Sequence, residues 1–176
     1  SQFTQLIARK VRELGIYSEI INFSNIESLT KNKFIKAIIL SGGPLTATIN
    51  KTPKLNSKII NLKIPILGIC YGHQILSQKL GGKVQTSIKR EFGRANLKSV
   101  SKSPLTKKFF INKASSVWMS HQDIVSVMPR GFKKIASSPQ SKFAIIAHEI
   151  KKYYGIQFHP EVSHTPNGKI LIKNFL

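Results

Sequence analysis

Residues 65–74 read Pro-Ile-Leu-Gly-Ile-Cys-Tyr-Gly-His-Gln, and this stretch decides the fold. An apolar run that is typical of a buried strand ends in a Gly-x-Cys-x-Gly turn, and a helical pattern follows from Tyr71 to Leu80. A nucleophile elbow has this organisation, here with sulfur in place of oxygen. Gly68 and Gly72 fit it, because only small residues beside the nucleophile let the backbone turn sharply from strand to helix.

Cys70 is the only cysteine of the chain, and the elbow makes it the candidate nucleophile. The first turn of a helix favours an anion, and the N–H of Tyr71 would point at the carbonyl under attack. The alternative is a small buried hydrophobic residue, which is the commoner role of a cysteine. A core position needs no flanking glycines, so the nucleophile is the favoured interpretation.

A thiol nucleophile needs a base, and the base needs a group that orients it. The chain has five histidines. Of these, His159 is the best placed, because it directly follows Tyr153–Phe158, a run typical of a strand. Glu161 lies two residues further on and can reach back to the imidazole. Cys70, His159 and Glu161 therefore form a candidate triad.

A second oxyanion donor is expected from another loop at the same edge of the sheet. Residues 37–40 (Ala-Ile-Ile-Leu) read as a buried strand and run into Ser41-Gly42-Gly43-Pro44. Glycines there let a backbone N–H approach a ligand closely. Without the elbow, an ordinary Gly-Gly-Pro turn would be the preferred interpretation.

Composition narrows the class of protein. One cysteine excludes a disulfide framework and a cysteine-based zinc site, and neither a membrane-length run nor a signal-peptide pattern is present, which is typical of a cytosolic protein. The formal net charge is +21, with 28 basic against 7 acidic residues. The lysines are spread along the whole chain, so we interpret the charge as composition bias rather than nucleic-acid binding. A basic face for an acidic partner or for nucleotides stays open as an alternative.

Four segments together resemble the class I (triad) glutamine amidotransferases: 41–44, 68–74, 118–121 and 154–161. Arg90-Glu91-Phe92-Gly93 and the ending from Glu161 to Thr165 narrow the resemblance to the glutaminase domains of the GMP synthetase group. The resemblance covers essentially the whole chain. It implies hydrolysis of glutamine to glutamate and ammonia, with the ammonia used to aminate XMP to GMP.

The resemblance also implies roles for single residues. Cys70 would attack the side-chain amide, His159 would protonate the departing ammonia, and Glu161 would orient His159. Backbone N–H groups of Gly43 and Tyr71 would form the oxyanion hole.

The ends of the glutamine substrate would be bound by Gln74 on the helix and by a loop of Ser120, His121, Gln122 and Asp123. Members of the family often have a small residue where this chain has Gln122, and the contact survives if backbone atoms make it.

The element pattern predicts an α/β fold with a mostly parallel central sheet, flanking helices and additional short antiparallel strands. Helices are expected from Phe3 to Leu14 and from Lys169 onward. Strands are expected at 17–21, 37–40, 64–69 and 153–158, and short β-like runs at 83–86, 95–100, 116–119, 124–127, 134–137 and 143–148.

Of the remaining histidines, His73 is expected at the solvent or on the helix flank, and His164 near a domain junction, together with Arg90 and Glu91. Trp118 is expected to anchor the core.

The resemblance implies that residues 1–176 form one amidotransferase domain that lacks its first strand, with Ser1-Gln2 ending the preceding turn. An ATP pyrophosphatase domain and a dimerisation domain are expected beyond Leu176, so the full enzyme would be a homodimer. No cofactor is expected in this domain, while ATP and magnesium would belong to the synthetase part. The alternatives are the glutaminase of another synthetase, for anthranilate or carbamoyl phosphate, and a non-catalytic basic binding module.

Overall fold

The computed structural model describes residues 2–43, 47–48 and 53–176, so Ser1 and Pro44 of the sequence motifs lie outside the described residues. The described helices are α1 (Gln2–Glu13), α2 (Ile26–Lys31), α3 (Ser57–Asn61), α4 (Tyr71–Lys79) and α5 (Gly168–Phe175). The described strands are β1 (Ile38–Leu40), β2 (Ile66–Ile69), β3 (Lys83–Ser99), β4 (Ala114–Val127), β5 (Lys133–Ser137), β6 (Ile145–His148) and β7 (Tyr153–Ile156).

Within the described ranges the seven strands form one mixed sheet in the order β1-β2-β7-β6-β5-β3-β4. β1, β2 and β7 are parallel, and the remaining pairings are antiparallel. In register, Leu40 pairs with Gly68, and Gly68 pairs with Gly155. The carboxyl ends of the three parallel strands therefore meet at one edge of the sheet, where ligands bind in open α/β sheets.

Apolar side chains cover both faces of the parallel strands. Leu67 and Ile69 of β2 join a core cluster with α1 and α5, whereas Ile66 joins the cluster on the other face with α3 and α4. Every residue of β2 is buried, which explains why this strand reads as a continuous apolar run rather than an alternating one.

The expected α/β class and the three helices at the start, the elbow and the end are confirmed. The antiparallel part is larger than expected, since the short runs at 83–86 and 95–100 join in β3, and those at 116–119 and 124–127 join in β4. β3 and β4 pair over almost their full lengths, with an irregularity between Thr86 and Glu91. Polar residues interrupt the strand pattern in the sequence, so each long strand of this hairpin was predicted as two short runs. A bulge tolerates such residues, whereas a regular ladder does not.

The expected strand at 17–21 is wrong, since these residues have no regular secondary structure. Ser18 is instead bonded to α1: its carbonyl accepts a hydrogen bond from Arg12 at 2.8 Å, and its hydroxyl donates to the Ala8 carbonyl at 3.3 Å. A groove of about 950 Å³, lined by this segment, α1 and β1, lies between the segment and the sheet. The segment has no ladder partner there, and a strand without a partner is not stable in water.

Candidate active site

Cys70 occupies the turn between β2 and α4, as the elbow pattern predicts. Its backbone has φ 52° and ψ −108°, a conformation that a residue with a side chain rarely adopts and that costs about 1–3 kcal/mol. The Cys70 N–H donates to the carbonyl of Ile156 on β7 at 2.8 Å, which fixes the elbow to the neighbouring strand. The side chain is a free thiol and is 4% exposed.

The two glycines beside Cys70 are required by close backbone contacts. A Cβ at Gly68 would lie 2.6 Å from the carbonyl oxygen of Gly72, and a Cβ at Gly72 would lie 2.0 Å from the carbonyl oxygen of Leu40. Real Cβ atoms do not approach backbone so closely. Glycine at both positions is therefore what lets α4 start directly over the ends of β1 and β2.

His159 and Glu161 form a buried pair beyond the end of β7. The Nδ1 atom of His159 lies 2.7 Å from Oε1 of Glu161, and each residue is 2% exposed. Burial acts to lower the pKa of His159, but hydrogen bonds and charge interactions with Cys70 and Glu161 raise it to about 10. This raised pKa lets His159 carry a positive charge beside the sulfur of Cys70.

Gly42 shows how close the parts of the site are. A Cβ at this position would lie 2.9 Å from Cε1 of His159 and 3.2 Å from Cβ of Cys70. The loop after β1 therefore passes directly against both side chains. For Gly43, the expected oxyanion donor, no heavy atom of the described residues lies within 4 Å of the position that a Cβ would take.

The sulfur of Cys70 has two further polar neighbours. It lies 3.7 Å from the carbonyl oxygen of Ser120, and the side-chain amide nitrogen of Gln157 lies 3.9 Å from it. Gln157 is fully buried. It is a site residue that the sequence motifs did not single out, although its place at the end of the run before His159 could have indicated it.

Ser120, His121, Gln122 and Asp123 lie within β4, so the expected loop is wrong. Burial alternates along β4, with His121 and Asp123 buried and Ser120 and Gln122 partly exposed. Since successive side chains of a strand point to opposite faces, Gln122 lies on the face opposite His121 and Asp123. The middle of this strand was not predicted because its inward positions, His121 and Asp123, carry polar side chains.

The Asp123 carboxylate and the Gln74 amide have protein partners at the site. The Asp123 carboxylate accepts hydrogen bonds from the backbone N–H and hydroxyl of Thr48, at 3.1 and 2.8 Å, and from the Thr86 hydroxyl at 2.9 Å. The Gln74 amide nitrogen donates to the Asp123 carbonyl at 2.8 Å, and it lies 3.5 Å from Oε1 of Gln157. Gln74 and Asp123 are thus in contact near Cys70, and their hydrogen bonds hold α4 and β4 together at the site.

His121 is paired with Glu91 of β3. Its Nε2 atom lies 3.1 Å from Oε2 of Glu91, and the same oxygen accepts a hydrogen bond from the Ser138 hydroxyl at 2.9 Å. His121 is 4% exposed and Glu91 8%. The expectation that Glu91 lies at a domain junction is therefore wrong, because its carboxylate faces the interior.

The expectation that His73 faces solvent or the helix flank is also wrong. His73 is fully buried, its Nε2 atom lies 3.1 Å from the Phe143 carbonyl oxygen, and burial lowers its pKa to about 4. A neutral His73 donates from Nε2 to that carbonyl. It cannot serve as a cation beside Cys70.

One aromatic ring stacks directly on the pair, and a second ring contact involves Trp118 of β4. The Phe3 ring of α1 stacks on the His159 ring, with centroids 4.5 Å apart and an interplanar angle of 29°. The partly exposed Trp118 contacts the exposed ring of His164 at 4.5 Å, so Trp118 is not the core anchor that was expected. Phe3 was not expected at the site, because its helical spacing indicated only the apolar face of α1.

The described part of the chain contains no helix that is long and apolar enough to cross a membrane. Residues 2–43, 47–48 and 53–176 also contain no group of three or more His, Cys, Asp or Glu residues that could hold a metal ion.

An α/β sheet with a cysteine on an elbow and a buried His–Glu pair just beyond the end of the neighbouring strand defines the class of proteins with an activated thiol nucleophile. Residues 1–176 match the family described as glutamine amidotransferase class-I, and the chain belongs to that family. The resemblance seen in the sequence is thereby confirmed.

Two curated relatives narrow the comparison. The chain is 46% identical over 176 residues to a GMP synthase [glutamine-hydrolyzing] of Phenylobacterium zucineum, covering 99% of this chain and 34% of the relative. It is 47% identical over 176 residues to the Aquifex aeolicus protein of the same name, covering 100% of this chain and 34% of the relative. The chain thus spans about a third of the length of the curated relatives that it matches.

Solved structures agree on the fold. A Thermoplasma acidophilum protein described as a candidate component of GMP synthase is 27% identical, with a TM-score of 0.82 over 99% of this chain and 87% of that one. A glutamine amidotransferase of Thermotoga maritima is 21% identical, with a TM-score of 0.66 over 86% of this chain and 68% of that one. The second likeness concerns the fold alone.

Proposed function

We propose that this domain hydrolyses glutamine to glutamate and ammonia through a thioester on Cys70, and that the ammonia serves the ATP-dependent amination of XMP to GMP. The observation that carries the proposal is the buried His159–Glu161 pair beside the elbow cysteine, in a member of the amidotransferase family. The name shared by the curated relatives supports GMP as the product of the whole enzyme.

In the first half of the reaction, the Cys70 thiolate attacks the side-chain carbonyl carbon of glutamine. The carbon becomes tetrahedral and its oxygen becomes an anion. His159, protonated at neutral pH, gives its proton to the nitrogen, the C–N bond breaks, and ammonia leaves. Cys70 then carries a glutamyl thioester, and His159 is neutral.

In the second half, neutral His159 takes a proton from water as the water attacks the thioester carbon. The C–S bond breaks, glutamate leaves, and the thiolate–imidazolium pair is restored. The Glu161 carboxylate stays hydrogen-bonded to Nδ1 of His159 through both halves. Proton transfer to the leaving nitrogen and from water therefore takes place at Nε2.

The oxyanion would be held by backbone N–H groups of Gly43 and Tyr71. Tyr71 is the first residue of α4, so its N–H lies at the end of the helix where the dipole is positive. Removing one such donor typically costs about 100-fold to 1000-fold in rate.

Gln74, Ser120, His121, Gln122 and Asp123 would form the wall that receives the amino and carboxylate ends of glutamine. The carbonyl of Ser120 already lies 3.7 Å from the sulfur, which supports contacts from backbone atoms of β4. Asp123 supplies negative charge on the same wall. In this role Gln122 contributes its main chain, because its side chain lies on the other face of β4.

The partner in this proposal is a synthetase, as a further domain or a separate chain, which would bind ATP and magnesium. The full enzyme would be a homodimer. A cytoplasmic location is part of the proposal, since Cys70 must remain a free thiol to act.

The proposal is tested with Cys70→Ala in the complete enzyme. We expect glutamine-dependent GMP formation to be lost and ammonia-dependent GMP formation to survive, because only ammonia supply needs the thiol. Unimpaired glutamine-dependent synthesis would refute the thioester mechanism. If another acceptor gained the nitrogen while XMP did not, the glutaminase would stand and its assignment to GMP synthesis would fall.

A further inference from the structure

The hydroxyl of Thr165 connects the main chains of two residues at the site that are distant in sequence. It accepts a hydrogen bond from the backbone N–H of Trp118 at 3.0 Å and donates one to the backbone carbonyl of His159 at 2.7 Å. Thr165 is 3% exposed, so water cannot replace either bond without rearrangement. The hydroxyl thus uses its proton and one lone pair in bonds to two backbones.

These bonds complete a pairing between Trp118 and His159. The backbone N–H of His159 donates directly to the Trp118 carbonyl at 3.1 Å. In a regular antiparallel pair both N–H···O bonds are direct. Here one bond is direct, and the Thr165 hydroxyl relays the other. β7 ends at Ile156, so this relayed pair holds His159 to β4 where the regular ladder has stopped.

The hydroxyl is itself held in place. The Thr165 N–H donates to the Val162 carbonyl at 3.1 Å, and the Thr165 carbonyl accepts from the Gly168 N–H at 3.0 Å. A Cβ at Gly168 would lie 2.0 Å from the Pro160 carbonyl oxygen, so the start of α5 packs tightly on the segment that follows His159. The turn that carries Thr165 is therefore fixed on both sides of the hydroxyl.

We propose that Thr165 is a positioning residue, whose hydroxyl fixes the main chain of His159 against β4 so that the imidazole stays between Cys70 and Glu161. The effect on glutamine hydrolysis rests on the proposed function. The effect on the reactivity of Cys70 does not, because it needs only the imidazolium beside the sulfur.

The test compares Thr165→Val, which keeps the shape and loses the hydroxyl, with Thr165→Ser, which keeps the hydroxyl and loses a methyl. Two readouts are measured on the complete protein: kcat and KM for glutamine hydrolysis, and the rate of Cys70 alkylation by iodoacetamide as a function of pH. Cys70 and Glu161 are the titratable groups that contact His159, so the alkylation profile reports on this cluster.

We expect Thr165→Val to lower kcat about 10-fold to 100-fold with little change in KM, since small displacements of a catalytic group have effects of this size. Its alkylation profile should shift along the pH axis, which a merely structural loss of folded protein would not cause. Thr165→Ser should keep both the wild-type profile and most of kcat.

A valine variant with the wild-type kcat and alkylation profile would overturn the proposal. So would a serine variant that loses as much as the valine variant. If the valine variant does not fold, Thr165→Ala takes its place, because alanine removes the hydroxyl without adding an apolar group. If wild-type protein fails to hydrolyse glutamine, the proposed function falls, and the alkylation profiles still decide the role of Thr165.

Discussion

The carboxylate of Glu161 lies 2.7 Å from Nδ1 of His159, and both side chains are almost completely shielded from solvent. Such a charge-assisted bond between buried groups is strong, because little water competes for either partner. Together with the hydrogen bond to Cys70, this bond raises the pKa of His159 although burial opposes the charge of the ring.

Replacing Glu161 by Gln should lower the pKa of His159. Burial continues to lower the pKa and Cys70 continues to raise it, while the carboxylate, the other group that raises it, is gone. We expect a decrease of at least about one unit, equivalent to about 1.4 kcal/mol. The titration is followed by NMR of the His159 ring, and the alkaline limb of the activity profile should move to lower pH. An unchanged titration would contradict the role given to Glu161.

Phe3 should contribute to the same charge through its ring. Its face stacks on His159 at 4.5 Å, and a cation over an aromatic ring gains about 0.5–1 kcal/mol or more. Phe3→Leu should therefore lower the pKa of His159 by about half a unit and reduce kcat, whereas Phe3→Tyr should not. The same NMR titration measures this. Equal pKa values of His159 in the leucine and tyrosine variants would show that the Phe3 ring does not stabilise the charge of His159.

Gly42 and Gly43 should respond differently to alanine. At Gly42 the new Cβ would meet the His159 ring at 2.9 Å, so the ring must move. At Gly43 a Cβ would meet no heavy atom of the described residues within 4 Å, and the N–H is retained. We expect Gly42→Ala to lower kcat by about 100-fold, the effect of a displacement of about 1 Å, and Gly43→Ala to cause a much smaller loss. Steady-state kinetics on both variants measure this difference, and equal losses would show that the loop does not pass as close to His159 as described.

Glu91 should matter for stability rather than for contact with a partner. Glu91→Gln weakens bonds to His121 and Ser138 in the interior, and a poorly satisfied buried polar group costs about 1–3 kcal/mol. Ser138→Ala leaves the bond to His121 but removes the bond to Glu91 and the one that the Ser138 hydroxyl accepts from the Ser141 N–H at 3.0 Å, so it should also destabilise the fold. Urea unfolding measures both free energies of unfolding. A Glu91→Gln variant as stable as the wild type would show that the pair does not support the fold.

The elbow could be predicted from the sequence because its requirements are local. The two glycines, the apolar strand and the helical pattern lie within about a dozen residues, and each has a steric reason. His159 and Glu161 could be placed for the same reason, since they follow a strand-like run directly. The parallel strands β1, β2 and β7 then bring these local features to one edge.

The wrong predictions from the sequence concern residues whose surroundings depend on distant parts of the chain. His73 is buried because residues near Phe143 pack over α4, and nothing in residues 71–80 indicates this. The polar stretch 120–123 forms part of a strand because Glu91 and Thr86 on β3 satisfy His121 and Asp123. Long-range partners of this kind turn an apparent loop into a buried strand.

Segment 17–21 shows the reverse case. Its β-branched and aromatic residues fit a strand, but strand formation also needs a neighbouring backbone. In the structure Ser18 bonds to α1, and a groove separates the segment from β1. Local propensity was therefore insufficient to predict its conformation.

The most direct test of the account is to trap the acyl intermediate. The complete enzyme is mixed with glutamine and nucleotide substrates, quenched with acid within one turnover, and digested for mass spectrometry. We predict a glutamyl group in thioester linkage on the peptide that contains Cys70, and none in Cys70→Ala. Release of ammonia from glutamine with no glutamyl group on Cys70, or by the alanine variant, would contradict the account.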